Sequence, residues 1–344
     1  SPDSRLDGFT IRNGYAASHG TAVNLENASL DIRNCVFENN CSGKKVTYDR
    51  GNGLVGTYWE DACSTAAVYA SGAPVRITGT VFRNNVSRET TTGGGMDAGN
   101  AGAVLLVGSD GSSVDHCDFI ANSGFGAGAV VLDRASAVIR GSRFLRNFSY
   151  SDGGAVSVSA GWDYYYYENE APPHSVSLEN CLLLGNRALD DFSDLNFGER
   201  CGAHVVNCTI AGGVAFGGHA AKFGCDASVA NTILGGSAVC ADGVDFTASN
   251  NCTPADWSLY GTGNIVSDPM LTGAGMLRAG SPCIDAGDAA NAPSSDIFGN
   301  ARPAGNAADI GCHEFIDTDG DGIPDLVMGA EDGFIYFLRN PRSR

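Results

Sequence analysis

Val36-Phe37-Glu38-Asn39-Asn40 decides the fold, because the same stretch returns along the chain. It reappears as Val81-Phe82-Arg83-Asn84-Asn85, Phe119-Ile120-Ala121-Asn122, Phe144-Leu145-Arg146-Asn147 and Leu183-Leu184-Gly185-Asn186. An Ala-Val pair stands upstream of each copy: Ala22-Val23, Ala67-Val68, Ala103-Val104, Ala129-Val130 and Ala155-Val156. From Ala to Phe is 15, 15, 16 and 15 residues in four copies, and the fifth takes 28 to reach Leu183. A constant unit with loops of variable length spliced into it is how a solenoid reads in sequence.

The bulk composition agrees. Of 344 residues, 43% are hydrophobic, enough for a long core. Gly is abundant (47) and Lys scarce (3), and apolar residues come in short runs bounded by Gly, Asn, Asp and Ser. No 12-residue stretch carries helical periodicity, so the chain reads as all-β. The formal net charge of −18 argues against nucleic acid and against anionic membrane surfaces. It also makes a strongly anionic polysaccharide an awkward ligand unless a cation bridges the two. No apolar stretch approaches the length of a membrane span, so no membrane insertion is expected in this segment. No signal peptide is visible at Ser1, and the chain opens inside a repeat, Gly8-Phe9-Thr10-Ile11-Arg12-Asn13-Gly14. It reads as a processed or trimmed piece of a longer protein.

Two residues before each repeat Phe or Leu stand Cys35, Thr80, Cys117, Ser142 and Cys181, and a shorter copy adds Cys208. Strand alternation puts these on the face of the Phe, so an inward ladder of small residues runs beside a ladder of Phe, Leu and Ile. The Asn three residues after the Phe forms a third ladder at a turn. There its side chain bonds the backbone and stacks on the next Asn. Cys35, Cys117, Cys181 and Cys208 are thus expected as buried thiols. The other eight of twelve cysteines pair by locality as Cys41–Cys63, Cys201–Cys225, Cys240–Cys252 and Cys283–Cys312. The alternative is twelve free thiols in a cytosolic protein. No spacing is CxxC, which argues against zinc.

Insertions on one face of a solenoid usually carry function. Segment 41–64 holds Lys44, Lys45, Tyr48, Arg50, Tyr58 and Trp59. Segment 86–100 is rich in Thr and Gly, and segment 187–200 carries Asp190, Asp191 and Asp194. The excess of the fifth copy holds Trp162, Tyr164, Tyr165, Tyr166 and Tyr167. Such aromatics read as a stacking platform for sugar rings, with Tyr58 and Trp59 beside them, or as a loop covering the solenoid's flank. Lys44 and Lys45 read as a base or charge neutraliser near a sugar carboxylate, or as a solvated loop tip. The six His show no metal-ligand spacing and read individually as structural. Gly93-Gly94-Gly95 has no following helix to make a nucleotide loop.

Together these repeats resemble the right-handed parallel β-helix of pectate-lyase-like enzymes, glycoside hydrolases and bacterial surface proteins, over roughly residues 1–250. Farther on come Gly261-Thr262-Gly263-Asn264-Ile265, Gly280-Ser281-Pro282-Cys283-Ile284-Asp285-Ala286-Gly287, Phe298-Gly299-Asn300-Ala301-Arg302-Pro303 and Asp309-Ile310-Gly311-Cys312-His313-Glu314. These resemble the choice-of-anchor Q module, which closes β-helices in secreted and surface-anchored bacterial proteins. That resemblance implies export, a compartment that permits disulfides. Cys283 and Cys312 stand where the module's pattern has apolar or small residues, and their joint departure supports their pairing. Asp317, Asp319, Asp321 and Asp325 then fall at i, i+2, i+4 and i+8 with Gly322 after the third, a spacing suited to Ca²⁺. With Met328 at the twelfth position it is not an EF-hand, and it resembles one FG-GAP or VCBS propeller blade. The expected organisation is a β-helix over 1–255, a capping module over 256–315 and a partial blade over 316–344.

The reading is an extracellular or cell-surface protein that engages polysaccharide through its loop-bearing face. β-Helix lyases neutralise a uronate with Ca²⁺ or Arg and abstract a proton with Lys or Arg, whereas hydrolases of this fold use Asp. Lys44, Lys45, Tyr48 and Arg50, or Asp190, Asp191 and Asp194, are the corresponding candidate pools, and cleavage itself stays open. The alternative is a non-catalytic structural or adhesive protein that assembles with itself or with partner chains.

Overall fold

Three long parallel sheets form the body of the computed structural model. It describes residues 4–16, 20–42, 44–49, 55–60, 66–87, 101–151, 153–159, 174–189, 192–198, 201–211, 214–215, 219–223, 226–240, 245–317, 326–331 and 334–339. Sheet I has nine strands, from Arg5–Asp7 and Leu30–Arg33 through to Phe246–Ser249. Sheet II has eight, from Thr10–Arg12 and Val36–Glu38 to Ile233–Leu234. Sheet III also has eight, from Val23–Glu26 and Val68–Ser71 to Ser237–Cys240. The chain visits III, I and II in turn and then starts the next coil, so every neighbour in a sheet is one coil away. This is a parallel β-helix, and no helix occurs among the described residues.

The repeat dictates this register. The Ala-Val pairs stack in sheet III as Val23, Val68, Val104, Val130 and Val156, each opposite the next. In sheet II, Ile11, Phe37, Phe82, Phe119, Phe144, Leu183, Ile210 and Leu234 form one inward column. The four Phe rings stack nearly parallel at 4.9, 5.0 and 4.7 Å, the strand-to-strand spacing of a sheet. A residue at this site therefore meets its own kind above and below, which is why the sequence repeats it.

Two polar columns hold the corners. Asn40, Asn85, Asn122, Asn147 and Asn186 form the expected ladder: each Nδ2 and backbone N–H donates to the next Asn Oδ1 at 2.9–3.1 Å. The second Nδ2 hydrogen goes to the Phe carbonyl of the preceding coil, as from Asn122 to Phe82 O at 2.9 Å. The amides of Asn85, Asn122, Asn147 and Asn186 thus fill all four of their hydrogen-bonding positions. The small-residue column is also bonded throughout. Thr80, Ser142 and Thr232 donate to the carbonyl two residues back at 2.9–3.0 Å. Cys35, Cys117, Cys181 and Cys208 do the same with weaker thiols at 3.1–3.4 Å. These four are unbridged, as expected, and burial pushes the Cys117 thiol up to about 12.

Just before this column the chain turns with one left-handed residue per coil: Asn34, Gly79, His116, Gly141, Asn180, Asn207, Asn231 and Asn250, at φ 48–56°. Asn and Gly tolerate that region best. From Asn180 onward the corner asparagines have a second task. Residues 286–312 run back along the flank of the solenoid as far as Asn180 and then turn toward Asn207 and Asn231 again. Asn250 donates to Ala286 O (3.3 Å), Asn231 to Asp288 O (2.9 Å), Asn207 to Asp309 O (3.1 Å) and Asn180 to Ser295 O (2.7 Å). Beneath them Ile297, Phe298 and Cys312 pack on the outward side chains Ile120, Leu145, Leu182 and Leu184 of sheet II.

Residues 251–265 add two short turns: Cys252 bridges in parallel to both Ile233 and Ile265, and Trp257 and Tyr260 meet Phe246 edge-on at 5.1 Å. A network of hydrogen bonds and a buried ion pair, Arg302–Glu314 at 2.8 Å, organise the flanking segment around Asp296, Asp309 and Glu314.

The cysteines of this region depart from the expected pairing. Cys252, Cys283 and Cys312 are all unbridged, and it is their placement that separates them: Cys283 and Cys312 lie in different clusters. Cys283 sits with Cys252, Ile233, Leu277 and Ile310, whereas Cys312 sits with Ile120, Leu145, Leu182 and Ile297. Locality in sequence misleads here because residues 284–311 travel across several coils between the two. Cys252 likewise faces Cys283, and the side chain of its expected partner Cys240 lies outside the described residues. Cys63 and Cys225, expected to pair with Cys41 and Cys201, are also outside them.

Candidate functional site

Four consecutive strands of sheet I, His174–Glu179, Cys201–Val206, Ala227–Ala230 and Phe246–Ser249, carry a polar outer surface. Alternation sends Val176, Ala203, Ala227 and Phe246 inward. The outward positions Ser177, His204, Ser228 and Thr247 fall in one register. Asp226 and Asp245 stand one residue before the paired segments, and their carbonyls accept from Ala203 N and Ala227 N at 3.1 and 3.0 Å. The two aspartates therefore occupy the same backbone position on successive coils, one strand spacing of about 4.8 Å apart.

Gly202 leaves the floor open between them and Ser175. The result is a groove of about 430 Å³ lined by His174, Ser175, Gly202, His204, Asp226, Ser228, Asp245 and Thr247, a volume in the range of small-ligand sites. His204 Nδ1 lies 2.6 Å from Ser228 Oγ. His174 Nδ1 lies 3.6 Å from Asp110 Oδ1, and that carboxylate also accepts the Ser136 N–H at 2.6 Å. Asp110 thus anchors one wall of the groove from two coils earlier.

Chemically this is a row of acceptors and ambivalent donors: two carboxylates, two imidazoles and three hydroxyls over a small-residue floor. Such a set suits a ligand presenting many hydroxyls, since carboxylates accept from them while imidazole and hydroxyl groups do either. Among the described residues no group of three or more His, Cys, Asp or Glu is arranged to hold a metal ion.

The residues singled out from sequence are distributed otherwise. Lys44, Lys45 and Tyr48 lie on the strand Lys44–Asp49, which pairs antiparallel with Val55–Glu60. The register sets Lys44 opposite Glu60, Lys45 opposite Trp59 and Val46 opposite Tyr58. Within the insertion the described residues thus form an antiparallel strand pair. Asp194 is 0% exposed and accepts from Asn186 Nδ2 at 2.9 Å and Ser193 Oγ at 3.0 Å. It belongs to the asparagine ladder and not to a surface that a polymer reaches. Arg50, Trp162, Tyr164, Tyr165, Tyr166, Tyr167, Asp190, Asp191, Asp319, Asp321 and Asp325 lie outside the described residues, while Asp317 lies within them. The strands Leu326–Glu331 and Phe334–Arg339 that follow form an antiparallel pair.

Sequence reasoning passed over His174, His204, Asp226 and Asp245. A signal existed: each Asp directly precedes an alternating quartet, Ala227-Ser228-Val229-Ala230 and Phe246-Thr247-Ala248-Ser249. These coils lack the Phe of the repeat, so the register that would have stacked the two was not extended to them. Comparisons with protein-family profiles, with curated proteins and with solved structures find no match to this chain.

Proposed function

We propose that this chain is part of an extracellular or cell-surface β-helix protein that engages polysaccharide, with the groove over sheet I as a contact surface. The observation that carries this is the line of His174, His204, Asp226, Ser228, Asp245 and Thr247 across four coils. A polymer of hydroxylated rings lying along the solenoid axis would meet the same kind of group at every coil. The acidic balance, −18 overall, favours a neutral polysaccharide in this groove over a uronate polymer. Support for export comes from the resemblance of 256–315 to the choice-of-anchor Q module. Support for Ca²⁺ comes from the Asp317, Asp319, Asp321 and Asp325 spacing and the blade-like segment around it. Glycoside hydrolase cleavage fits a neutral polymer, whereas a pectate-lyase-like step through Lys44, Lys45, Tyr48 and Arg50 would require a uronate polymer bridged by Ca²⁺.

A panel of neutral and uronate polysaccharides tests it, each with and without Ca²⁺, scored for binding by calorimetry and for new reducing or unsaturated ends. Binding of a neutral polymer that is lost in Asp226→Asn/Asp245→Asn supports the groove. Absence of binding across the panel overturns the reading. One observation favours assembly as a second reading. Among the described residues, the strands Arg5–Asp7, Thr10–Arg12 and Val23–Glu26 end their sheets, and such an edge can take a further strand, whether from this chain or from another. Concentration-dependent mass in light scattering would support it, and a constant monomer mass would exclude self-assembly.

A further inference from the structure

Cys252 and Cys283 come from different parts of the chain and meet in one buried cluster. Both are 0% exposed and pack with Ile233, Leu277 and Ile310. The two side chains share this cluster, and Cys252 Sγ donates to Ser267 O at 3.4 Å. Each backbone is fixed on both sides. Cys252 is bridged to Ile233 and Ile265. Cys283 N–H donates to Ser281 Oγ at 3.2 Å, Ser281 Oγ donates to Pro269 O at 2.7 Å, and Ile310 N–H donates to Cys283 O at 2.9 Å.

This meeting differs from the stacked cysteines of the solenoid. Cys181 and Cys208 are also neighbours, but each Sγ is held between two backbone carbonyls, 3.4–3.5 Å away. Thr80, Ser142 and Thr232 fill the same column, so thiols there act as hydroxyl substitutes. No such column accounts for Cys283, and a hydroxyl or methyl group would serve the cluster as well as a sulfur.

We propose that Cys252 and Cys283 form a disulfide that fastens the flanking segment to the last turns of the solenoid. The bond forms by exchange with a disulfide-carrying oxidant, such as oxidised glutathione or an oxidised thiol oxidoreductase. A Cys252 thiolate attacks one donor sulfur and releases one donor thiolate. A Cys283 thiolate then attacks the mixed disulfide at the Cys252 sulfur and releases the second. Two protein thiols are oxidised, one donor disulfide is reduced to two thiols, and the two protons pass to the donor. Both sulfurs are buried in the folded chain, so the exchange precedes docking of residues 266–315.

Refolding in a glutathione redox buffer, followed by acid quench, alkylation and cleavage before aspartate, separates the candidates. Peptides 245–255, 268–284 and 309–316 then carry one cysteine each: Cys252, Cys283 and Cys312. The expected result is a cross-linked 245–255/268–284 pair that persists in Cys312→Ser. Reduction should release it and lower the thermal midpoint by at least about 3 °C. Alkylation of both Cys252 and Cys283 without reductant overturns the proposal, as does a cross-link of either to any other cysteine. The readout involves no polysaccharide, so its failure is separate from failure of the groove.

Discussion

Asn186 donates through Nδ2 to Asp194 Oδ1 at 2.9 Å, the point where the asparagine ladder stops. The relationship is directional. Every Asn in the column accepts from the coil before it and donates to the coil after it, whereas a carboxylate only accepts. Asp194→Asn should keep the link and shift stability by less than about 1 kcal/mol, and Asp194→Ala should cost about 1–3 kcal/mol by orphaning the Asn186 amide. Equal denaturation midpoints for the two variants would show that the ladder does not depend on this acceptor.

Within the ladder the loss is larger. Asn122→Ala removes the acceptor of the Asn85 N–H and of one Asn85 amide hydrogen, the side-chain donor to Phe82 O, and one of the two donors to Asn147 Oδ1, whose bond from the backbone N–H of residue 122 remains. A loss of about 2–4 kcal/mol follows, read as a lower urea midpoint at unchanged slope. Asn122→Asp should be at least as destabilising at pH 7 and recover in acid, where the protonated carboxyl donates again.

Phe119 lies between Phe82 and Phe144 at 5.0 and 4.7 Å and is fully buried. Phe119→Ala should cost about 3–5 kcal/mol through the cavity it opens. Phe119→Leu should cost less than that, because Leu183 already occupies the same column. Thermal unfolding of the pair measures the difference.

These columns were legible before any coordinates, since each depends on residues repeating at a fixed offset: Phe37, Asn40 and Cys35 announce their own neighbours. The groove was not. His204 and Asp226 have no counterparts of their kind in earlier coils; the equivalent of His204 is Arg76, then Ser113, Val138 and Ser177. Outward positions face water and are free to vary, so periodicity says nothing about them. Cys283 defeated sequence reading for another reason: pairing by proximity along the chain fails where a segment doubles back over several coils.

Two buried groups in the flanking segment titrate in opposition. Burial pushes His313 down to about 4, with Asp296 opposing and Arg302 assisting. Its folded value is below its unfolded value of about 6.5, so stability is lost as pH falls from about 6.5 to 4. Burial raises Asp309 to about 6, against the hydrogen bonds it accepts from Phe315 and Asp285 N–H. The folded form then binds a proton more readily than the unfolded one, and stability is gained as pH falls from about 6 to 3.9. Each effect is on the order of 3 kcal/mol, and between pH 6 and 4 they nearly cancel. Urea midpoints of the unmodified chain should be almost flat in that window. His313→Gln should rise on acidification and Asp309→Asn should fall; a parallel response of both variants would contradict the assignment.

Gly202 offers a way to close the groove without disturbing the sheet. A Cβ there would meet only His174 O, Asp226 O and Ser175 Oγ, at 3.6–3.8 Å. Gly202→Val should therefore fold with unchanged or slightly higher stability, since valine suits a strand. Its branches would fill the floor between Ser175 and Asp226 and weaken polysaccharide binding at least about tenfold. Undiminished affinity would move the contact surface elsewhere on the molecule.

The corner asparagines have a consequence for how the solenoid comes apart. Coils that touch only their neighbours unfold independently from either end, like a row of weakly coupled units. Asn180, Asn207, Asn231 and Asn250 bind four coils to one returning strip of chain, so these coils share their fate. Hydrogen exchange should find a single cooperative block over residues 174–315, with one opening free energy. The coils before Ile120 should fray in a graded series toward Arg5.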